Sequence, residues 1–536
     1  MASTSTGVDA VVIGSGPNGL VAANLLCDAG WSVTVLEAQP GIGGAVASSQ
    51  DVMPGFVHDT FSSFYPLGAA SPVLQSLDLE RWGLRWAHAP AVIGSPSADG
   101  EWALLYRDPH RTATNLDGLH AGDGQAWLDL FSTWQRIGPA LIDGLLSPFP
   151  PVRAGTRLLS RIPRAGGMAT VQLLLSSARS LAESRLAGTA AQMLIAGNAA
   201  HADLSPDAAG SGLFGLLMAM LGQQVGFPVP EGGAGALAAA TAARFRAGGG
   251  EILCDREVTE VLIERGRATG VRTADGEVFP ARRAVIADVS APALFGKLVG
   301  WENLPTATRR GMQRFEWDPG TLKVDWALSG PVPWQTPPAD APGTIHLAES
   351  ITDLSVWMAQ VTGHTVPAKP FLLIGQMSAT DPIRSPPGTE ALWAYTRLPQ
   401  QVRHDAGADG PGGRIVGSWD REDAERMADR MQARIESYAP GFGQHVQARR
   451  ILGPTELERR NANLVGGAIG GGTSALHQQL IFRPIPGRGR AHTPVKGLFL
   501  GSASAHPGGG VHGACGANAA RAAILHDRLS GRTAKA

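Results

Sequence analysis

The chain has 536 residues, of which 44% are hydrophobic, and its 45 basic and 46 acidic side chains give a formal net charge of -1. This length leaves room for more than one folding unit with an ample core. The balanced charge provides no global field that would attract nucleic acid. Its three cysteines, Cys27, Cys254 and Cys515, are far apart, so we expect neither a disulfide framework nor a metal site. Such sparse cysteine usage fits a protein of a reducing compartment, and we expect a cytoplasmic location. Abundant Ala, Gly and Arg favour a bacterial source.

The N-terminus has neither the basic start of a signal peptide nor the arginines of a transit peptide. No uncharged apolar run reaches the roughly 20 residues that a membrane-spanning helix needs. The nearest run, AAGSGLFGLLMAMLG at 208–222, predicts a buried core helix. A helix that lines a substrate or dips into a membrane is the alternative.

The stretch DAVVIGSGPNGLVAANLLCDAGWSVTVLEA (9–38) predicts a strand, a glycine turn, a helix closed by Gly30 and a second strand. Glycines at the turn allow a pyrophosphate and the helix to approach the backbone closely, and the N-terminus of the helix favours phosphate. An acid at the end of the second strand is placed to bind ribose hydroxyls. The predicted dinucleotide contacts are Gly14, Ser15, Gly16, Pro17, Asn18, Gly19 and Glu37.

A second glycine-rich loop, GIGGAVASS (41–49), follows directly. Gly43 and Gly44 present bare backbone after the acidic strand, where a flavin enzyme brings another turn to the pyrophosphate. An NAD dehydrogenase does not need such a loop. We therefore expect FAD as the cofactor.

In the middle of the chain, residues 229–290 predict a helix (236–247), the strand EILCD, a β-meander with turns at Gly266 and Asp275-Gly276, and the buried strand RRAVIAD. Gly233, Gly235 and Ala238 also fit GxGxxA, which would be a second dinucleotide site. The prolines of the preceding FPVPE argue against a central strand there. A helix-start turn is the favoured interpretation.

Two long inserts, 90–225 and 295–450, separate these parts and predict a substrate domain. LKVDWALSG (322–330) and KPFLLIGQMS (369–378) have the pattern of sheet strands, and REDAERMADRMQARIESYAP (421–440) that of an amphipathic helix. The sequence contains no HExxH, no GxSxG and no metal-ligand cluster. The remaining segments, 1–89, 226–294 and 451–536, predict one discontinuous FAD-binding domain.

Four stretches together resemble the phytoene desaturase-related FAD oxidoreductases, in the branch that includes the carotenoid ketolase-like proteins and the pyridine nucleotide-disulfide oxidoreductase domain-containing protein 2 group. They are VVIGSGPNGLVAANLL with VLEA, GIGGAVASS with PGFVHDTFSSF, VPEGGAGALAAA, and HQQLIFRPIPGRGRAHTPVKGLFLGSASAHPGGGVHGACGANAA. The inserts match only loosely. The resemblance implies an α/β fold in which a discontinuous Rossmann-type FAD domain carries an inserted α+β substrate domain, as in amine oxidases and phytoene desaturases.

The resemblance also implies which residues hold FAD. The ADP half would contact the residues of both glycine loops, including Ala45, and the backbone of Val258 would meet the adenine. Gly501 would lie near the ribityl–phosphate chain, although this chain has Gly501-Ser502 where many flavoproteins have Gly-Asp. At the flavin end, the expected contacts are Pro507, Gly508, Gly509, Gly510 and Val511.

The segment GLFLGSASAHPGGGVHGACGANAARAAIL (497–525) predicts a strand, a glycine loop and a helix. The loop has no side chains that would block a flat ring. The start of the helix would face the N1–C2=O edge of the flavin and stabilise its anionic reduced form. A valine in place of Gly509 is expected to prevent the ring from seating.

Histidines flank this loop, and His506 and His512 are the catalytic candidates, with loop capping as the alternative for each. His477 with Gln478 more often indicates a packed loop than a substrate contact. Asp59, in PGFVHDTF, is favoured as a turn cap over a catalyst, and Cys515 as a tightly packed thiol over a covalent flavin link.

These features predict an FAD-dependent dehydrogenase or desaturase that takes a hydride from an apolar, isoprenoid or polyene, substrate. A flavin amine oxidase is the alternative. That chemistry usually requires an aromatic cage around the substrate amine, and none of the four tyrosines lies near the C-terminal segment. The second alternative is a non-enzymatic lipid- or protein-binding regulator, as Rab GDP-dissociation inhibitors are. Oxygen or a quinone would reoxidise the flavin. The oligomeric state stays open. Peripheral membrane contact is expected for a lipophilic substrate, although the sequence shows no basic amphipathic helix that would indicate it.

Overall fold

Two seven-stranded sheets organise the chain, and the chain passes from one to the other more than once. The structure is a computed structural model and describes residues 7–533. The strands are β1 (Val8–Ile13), β2 (Val33–Leu36), β3 (Ser48–Ser49), β4 (His58–Asp59), β5 (Trp86–Ala87), β6 (Ala91–Pro96), β7 (Trp102–Leu105), β8 (Val229–Pro230), β9 (Glu251–Leu253), β10 (Val258–Glu264), β11 (Arg267–Thr273), β12 (Val278–Ala287), β13 (Gly320–Leu328), β14 (Pro342–Leu347), β15 (Thr365–Val366), β16 (Leu372–Gln376), β17 (Glu390–Leu398), β18 (His404–Asp405), β19 (Val446–Leu452) and β20 (Leu498–Leu500).

Helices connect and cover these strands. They are α1 (Pro17–Asp28), α2 (Pro66–Ala70), α3 (Pro72–Gln75), α4 (Pro109–Leu119), α5 (Asp123–Leu146), α6 (Val152–Arg161), α7 (Met168–Leu175), α8 (Ala178–Arg185), α9 (Thr189–His201), α10 (Ser211–Val225), α11 (Gly235–Ala247), α12 (Ala291–Ala293), α13 (Thr306–Met312), α14 (Ile351–Thr362), α15 (Met377–Thr380), α16 (Arg421–Glu436), α17 (Phe442–His445), α18 (Pro454–Arg460) and α19 (Ala514–Thr533).

The first sheet has the order β10-β11-β12-β1-β2-β9, and β20 pairs with β12. Its central strand β1 runs parallel to both β12 and β2, and is apolar nearly throughout because helices cover both faces. Helix α1 of the β1–α1–β2 unit is closed as predicted, because Gly30 follows it with a positive φ. This sheet positions the first glycine loop at the carboxyl end of β1.

Strand β12 corrects the predicted division of the meander. The sequence predicts RRAVIAD as a strand separate from the third meander strand, whereas the structure has one continuous strand of ten residues. Its first part pairs antiparallel with β11, and its second part pairs parallel with β1. One strand can do both because its two ends meet different neighbours. The short β8 pairs with β5 outside this sheet, so Gly233 and Gly235 form a helix-start turn.

The second sheet has the order β19-β13-β17-β16-β14-β6-β7, and helices α9 and α10 pack against it over a large apolar core. The predicted strands at 322–330 and 369–378 correspond to β13 and β16, and the amphipathic helix to α16. Helix α10 is the predicted buried core helix. No helix among residues 7–533 is long and apolar enough to cross a membrane. The domain boundaries remain a prediction, and the one at 450/451 falls within β19.

A buried ion pair joins three sequence segments next to the second glycine loop. The guanidinium of Arg384 contacts the carboxylate of Asp59 at 3.1 and 3.2 Å, and both side chains are fully buried. Asp59 Oδ1 also accepts the amide of Ala234 at 2.7 Å, immediately before α11. Asp381 contacts Arg384 from the other side at 3.0 Å. Asp59 is therefore not the predicted cap of its own turn: it lies in β4, forms a buried ion pair and fixes the start of α11 against the insert.

We expect Arg384→Leu to lower the free energy of unfolding by about 3–5 kcal/mol, because it leaves the buried carboxylate of Asp59 without its counter-ion. Denaturant unfolding of the apoprotein measures this loss. Arg272→Leu is the control, since it breaks the exposed pair with Glu260 and should cost at most about 1 kcal/mol. Equal losses in the two variants would contradict the assignment.

Candidate flavin site

The first glycine loop has no room for side chains. Gly14 has a φ of +94°, and its amide donates to the carbonyl of Leu36 at 2.8 Å. A Cβ on Gly19 would lie 2.1 Å from the carbonyl oxygen of Gly14, and one on Gly16 would lie 2.7 Å from Asp288 Oδ2. The turn at Gly14 and the close approach of Gly19 are those that the GxGxxG spacing predicts, whereas the neighbour of Gly16 is a carboxylate that the spacing did not predict. Helix α1 begins at Pro17, with its free N–H groups turned towards the loop.

The second glycine loop packs directly on the first, as predicted. The amide of Gly43 donates to the carbonyl of Ser15 at 3.1 Å. A Cβ on Gly44 would lie 3.0 Å from the Cα of Gly16. The carbonyl of Ala45 accepts the hydroxyl of Ser62 at 2.7 Å. The backbones of both loops therefore line one cradle.

Glu37 lies at the edge of this cradle and already organises it. Its Oε2 accepts the amide and the hydroxyl of Ser15 at 2.8 and 2.7 Å, and its Oε1 accepts the amide of Gln39 at 2.9 Å. The backbone carbonyl of Glu37 accepts the amide of Arg256, which brings the start of β10 with Val258 to the same edge. The predicted ribose and adenine contacts are thus neighbours, and the remaining lone pairs of Glu37 are free for hydroxyl groups.

Helix α19 closes the cradle from the other end of the chain. A Cβ on Gly516 would lie 1.9 Å from the carbonyl oxygen of Asn18, so α19 and α1 touch backbone to backbone. The Oδ1 atom of Asn18 and both side-chain polar atoms of Asn518 are buried without a hydrogen-bond partner. Buried amide groups are normally paired. Unpaired polar atoms beside a glycine cradle fit a diphosphate-containing cofactor. Gly501 packs against Gly516 and donates its amide to Ala287 at 2.8 Å.

The HPGGG loop lies against a second glycine run, GAIGGG (467–472), that the sequence reasoning missed. A Cβ on Gly509 would lie 2.8 Å from the carbonyl oxygen of Gly470, while Gly508 and Gly510 have φ values of +111° and +116°. Val511 adjoins Gly68, and Pro507 is buried. Loop packing alone thus requires these glycines. A valine at 509 would push Gly470 away whether or not a ring sits there, so that substitution does not isolate ring seating.

Two buried charges hold both loops. The carboxylate of Asp318 accepts the amides of Ile469 and Gly470 at 2.8 and 2.7 Å. Arg483 donates to the carbonyls of Gly470 at 2.9 Å and Ala503 at 2.8 Å. The guanidinium also packs against Gly508. The triple glycine at 470–472 was the sequence signal for this wall, but neither charged partner has a recognisable spacing to it.

His506 is buried and faces the insert. Its Nε2 lies 3.1 Å from the carbonyl of Ser147, so Nε2 carries the proton, and its ring meets the edge of Phe149 at 6.0 Å. Burial lowers the pKa of His506, which keeps the ring neutral. Its Nδ1 has no hydrogen-bond partner. His506 therefore carries a free basic lone pair beside the HPGGG loop.

His512 has a structural task. Its Nδ1 accepts the amide of Ala514 at 3.0 Å, at the first residue of α19. Burial lowers its pKa to about 4. This geometry matches the capping alternative, because the lone pair is already used and the ring resists protonation.

The other sequence candidates lie in packed surroundings. Exposed His477 pairs with Glu316 at 2.9 Å, and Gln478 is bonded to the backbone of Glu316. His58 is buried, with Nε2 on the carbonyl of Trp326 at 3.0 Å. Burial raises the pKa of Cys515 to about 12, which keeps this thiol protonated.

Asp288 is the site residue that the sequence analysis missed. It follows β12, and its Oδ2 accepts the amide of Gly19 at 2.8 Å, in the first turn of α1. Burial raises its pKa to about 7, and the charge of Glu37 adds to the rise. The signal was an acid at the end of the apolar strand RRAVIAD. A carboxyl group thus occupies the Gly19 amide, one of the groups to which the cofactor phosphates were assigned.

Comparison with known proteins agrees with this geometry. The family model of the flavin-containing amine oxidoreductases matches residues 18–366. The chain belongs to this family. It is 30% identical to the pyridine nucleotide-disulfide oxidoreductase domain-containing protein 2 of Mus musculus, covering 96% of this chain and 92% of that protein.

Two further comparisons bear on fold and chemistry. The phytoene desaturase (neurosporene-forming) of Cereibacter sphaeroides is 28% identical over 58% of this chain and 56% of its own. An oxidoreductase structure from Methanosarcina mazei superposes with a TM-score of 0.60 at 16% identity, over 96% of this chain and 99% of that one. The resemblance to the phytoene desaturase-related FAD oxidoreductases and the predicted α/β fold class are confirmed. The protein is an FAD-dependent oxidoreductase with FAD as its cofactor, which sets aside the non-enzymatic regulator.

We expect Asp288→Asn to remove a pH dependence from FAD binding. Below about pH 7 the carboxyl of Asp288 is neutral, and above it an anion would face the predicted position of the cofactor phosphates. The FAD dissociation constant of the wild type should therefore rise about tenfold above pH 7, a coupling of roughly one pKa unit, while that of the variant stays level. Fluorescence titration of the apoprotein with FAD measures both. Exposed Asp99→Asn should behave as the wild type, and parallel profiles for Asp288→Asn and the wild type would refute this role.

Proposed function

We propose that the protein dehydrogenates an apolar isoprenoid or polyene substrate, forming a carbon–carbon double bond. The supporting observation is the composition of the wall at the HPGGG loop. This wall consists of two glycine runs, a neutral histidine and the buried charges of Arg483 and Asp318, both of which are engaged by loop backbone. It therefore presents a positively charged amine with no unengaged carboxylate. The similarity to a phytoene desaturase supports the same substrate class.

Desaturation removes a hydride from one carbon and a proton from its neighbour. FAD supplies the hydride acceptor. The chain's own part is to receive the proton, and we assign that part to Nδ1 of His506. Ser147 holds the proton on Nε2, so the free lone pair is on the other ring nitrogen. Oxygen or a quinone completes the cycle by reoxidising the flavin.

A flavin amine oxidase remains the second candidate because of the family to which the chain belongs. That chemistry would need an aromatic cage for the amine. Tyr65 belongs to the same apolar cluster as Val511, contrary to the expectation that no tyrosine lies near the C-terminal segment. Its ring is buried, however, and its hydroxyl bonds to the carbonyl of Ser62 at 2.9 Å. Tyr65 therefore does not provide a cage wall.

Anaerobic mixing separates the two chemistries. We expect a detergent-dispersed polyene or isoprenoid to bleach the visible absorbance of the bound oxidised flavin, whereas primary and secondary amines leave it unchanged. Stopped-flow absorbance measures the rate. Bleaching by amines alone would identify an amine oxidase and overturn the proposal.

We expect His506→Asn to lower kcat by about 10²–10⁴-fold, since an amide cannot accept the proton. FAD content should be unchanged, which absorbance at equal protein concentration measures. His477→Asn is the matched control, because its exposed ring contacts Glu316 outside the loop. If kcat of His506→Asn equals that of the control, the hydride transfer needs no base at this position.

A further inference from the structure

One face of the molecule exposes large apolar side chains from two segments. In residues 152–175, four of them are at least 64% exposed, with Met168 at 77%. The second segment, 476–482, adds a cluster at 41–47% exposure, in which Leu480 has the unusual φ of +54°. The docking face, as we name it, comprises Val152, Leu159, Met168, Leu175, Leu476, Leu480, Ile481 and Phe482.

These two segments lie close together at two places, through Gly210 and through a shared cleft, so their exposed groups lie in one region of the surface. The amide of Gly210 donates to the carbonyl of Leu175 at 3.0 Å, and a Cβ on Gly210 would lie 2.9 Å from Leu476 Cδ1. Elsewhere, Phe149 and Ile481 line the same cleft of about 460 Å³. The cleft therefore opens between the two parts of the docking face.

The charge of both segments has one sign. Residues 144–182 contain five arginines and no acid, and residues 459–526 also contain no acid. Within α6, Arg153, Arg157 and Arg161 recur every fourth residue and lie on one side of the helix. Arg157 pairs with Asp143 at 3.4 Å, whereas no carboxylate pairs with Arg153 or Arg161 in the described part of the chain.

Helix α6 corrects the expectation that the chain lacks a basic amphipathic helix. It has ten residues with Ala154 buried, Val152 and Leu159 exposed, and arginines between them. The sequence pattern was hidden because a helix this short has no apolar run, and its start after Pro151 has no side-chain cap. Exposed apolar groups among arginines, of which Arg153 and Arg161 lack a carboxylate partner, are the arrangement with which interfacial helices enter anionic lipid headgroups.

We propose that the docking face binds the surface of an anionic lipid bilayer. Contact with a second copy is disfavoured, because a two-fold interface sets the same patch against itself and would oppose arginines with arginines. A bilayer supplies the complementary charge from its headgroups and an apolar layer for the exposed side chains.

The position of the cleft suggests a route by which an apolar substrate passes from the bilayer into the protein. This route rests on the proposed function. Phe149 lines the cleft at the docking face, and its ring also meets His506. Arg488, Arg490 and His492 line the opposite part of the cleft, so an apolar substrate from the bilayer would enter along its Phe149 and Ile481 side. The bilayer contact itself does not depend on which substrate reacts.

Vesicle co-sedimentation of the FAD-loaded full chain tests the proposal. The probes are phosphatidylcholine vesicles with and without phosphatidylglycerol. We expect binding to the anionic vesicles that weakens in high salt. Replacing Arg153, Arg161 and Arg164 by Gln should weaken it by about fivefold for each arginine near the surface. Leu159→Ser with Met168→Ser should also release the protein.

Matched variants on other faces serve as controls. Arg310→Gln with Arg421→Gln, and Val356→Ser with Val416→Ser, change exposed groups of the same kinds and should bind as the wild type does. Equal binding by docking-face and control variants, or no vesicle binding, would overturn the proposal. A dimer in light scattering that the Leu159 and Met168 substitutions dissociate would show self-association instead. Oxidation of detergent-dispersed substrate is measured separately, so failure of the proposed chemistry and failure of docking give different results.

Discussion

Backbone-to-backbone contact around the N-terminus of α1 is the constraint on which the protein depends. Gly19 meets Gly14 and Gly516 meets the carbonyl of Asn18, each at a separation that excludes a Cβ, and Gly44 packs tightly on Gly16. Segments separated by up to five hundred residues thus share one small volume. The amide N–H groups that this packing leaves free favour a negatively charged ligand in the cradle. The charge of Asp288, which lies inside the cradle, opposes such a ligand.

The parts of this site that the sequence predicts are those encoded locally. Gly14 to Glu37 form a β–α–β unit whose spacing is fixed by the lengths of a helix and two strands, so the roles of these residues follow from geometry. Asp288, Asp318 and Arg483 act on partners up to 269 residues away, as Asp288 does on Gly19. No periodicity in a single chain encodes such pairings. The strand RRAVIAD was correctly predicted as buried. Its final residue, Asp288, reaches the amide of Gly19 only because β12 pairs with β1.

The same limit explains the histidines. His506 and His512 look equivalent in the sequence, because they flank the same glycine loop. In the structure, one uses its lone pair on the first turn of α19, while the other leaves Nδ1 unpaired and bonds through Nε2 to a carbonyl from an insert. Their different environments come from α5 and α19, which lie more than 350 residues apart along the chain. Burial nevertheless makes both rings neutral, so the wall at the loop carries few free charges.

Strand β20 and helix α19 have a consequence for biosynthesis. Both follow the rest of the two sheets along the chain, yet β20 pairs with β12 inside the first sheet and α19 touches α1 at the cradle. A nascent chain on the ribosome thus exposes the edge of β12 and an open cradle until residues 498–533 emerge. Such long-range closure slows folding and leaves apolar surface uncovered meanwhile. The cradle is therefore complete only after β20 and α19 have folded back onto β12 and α1.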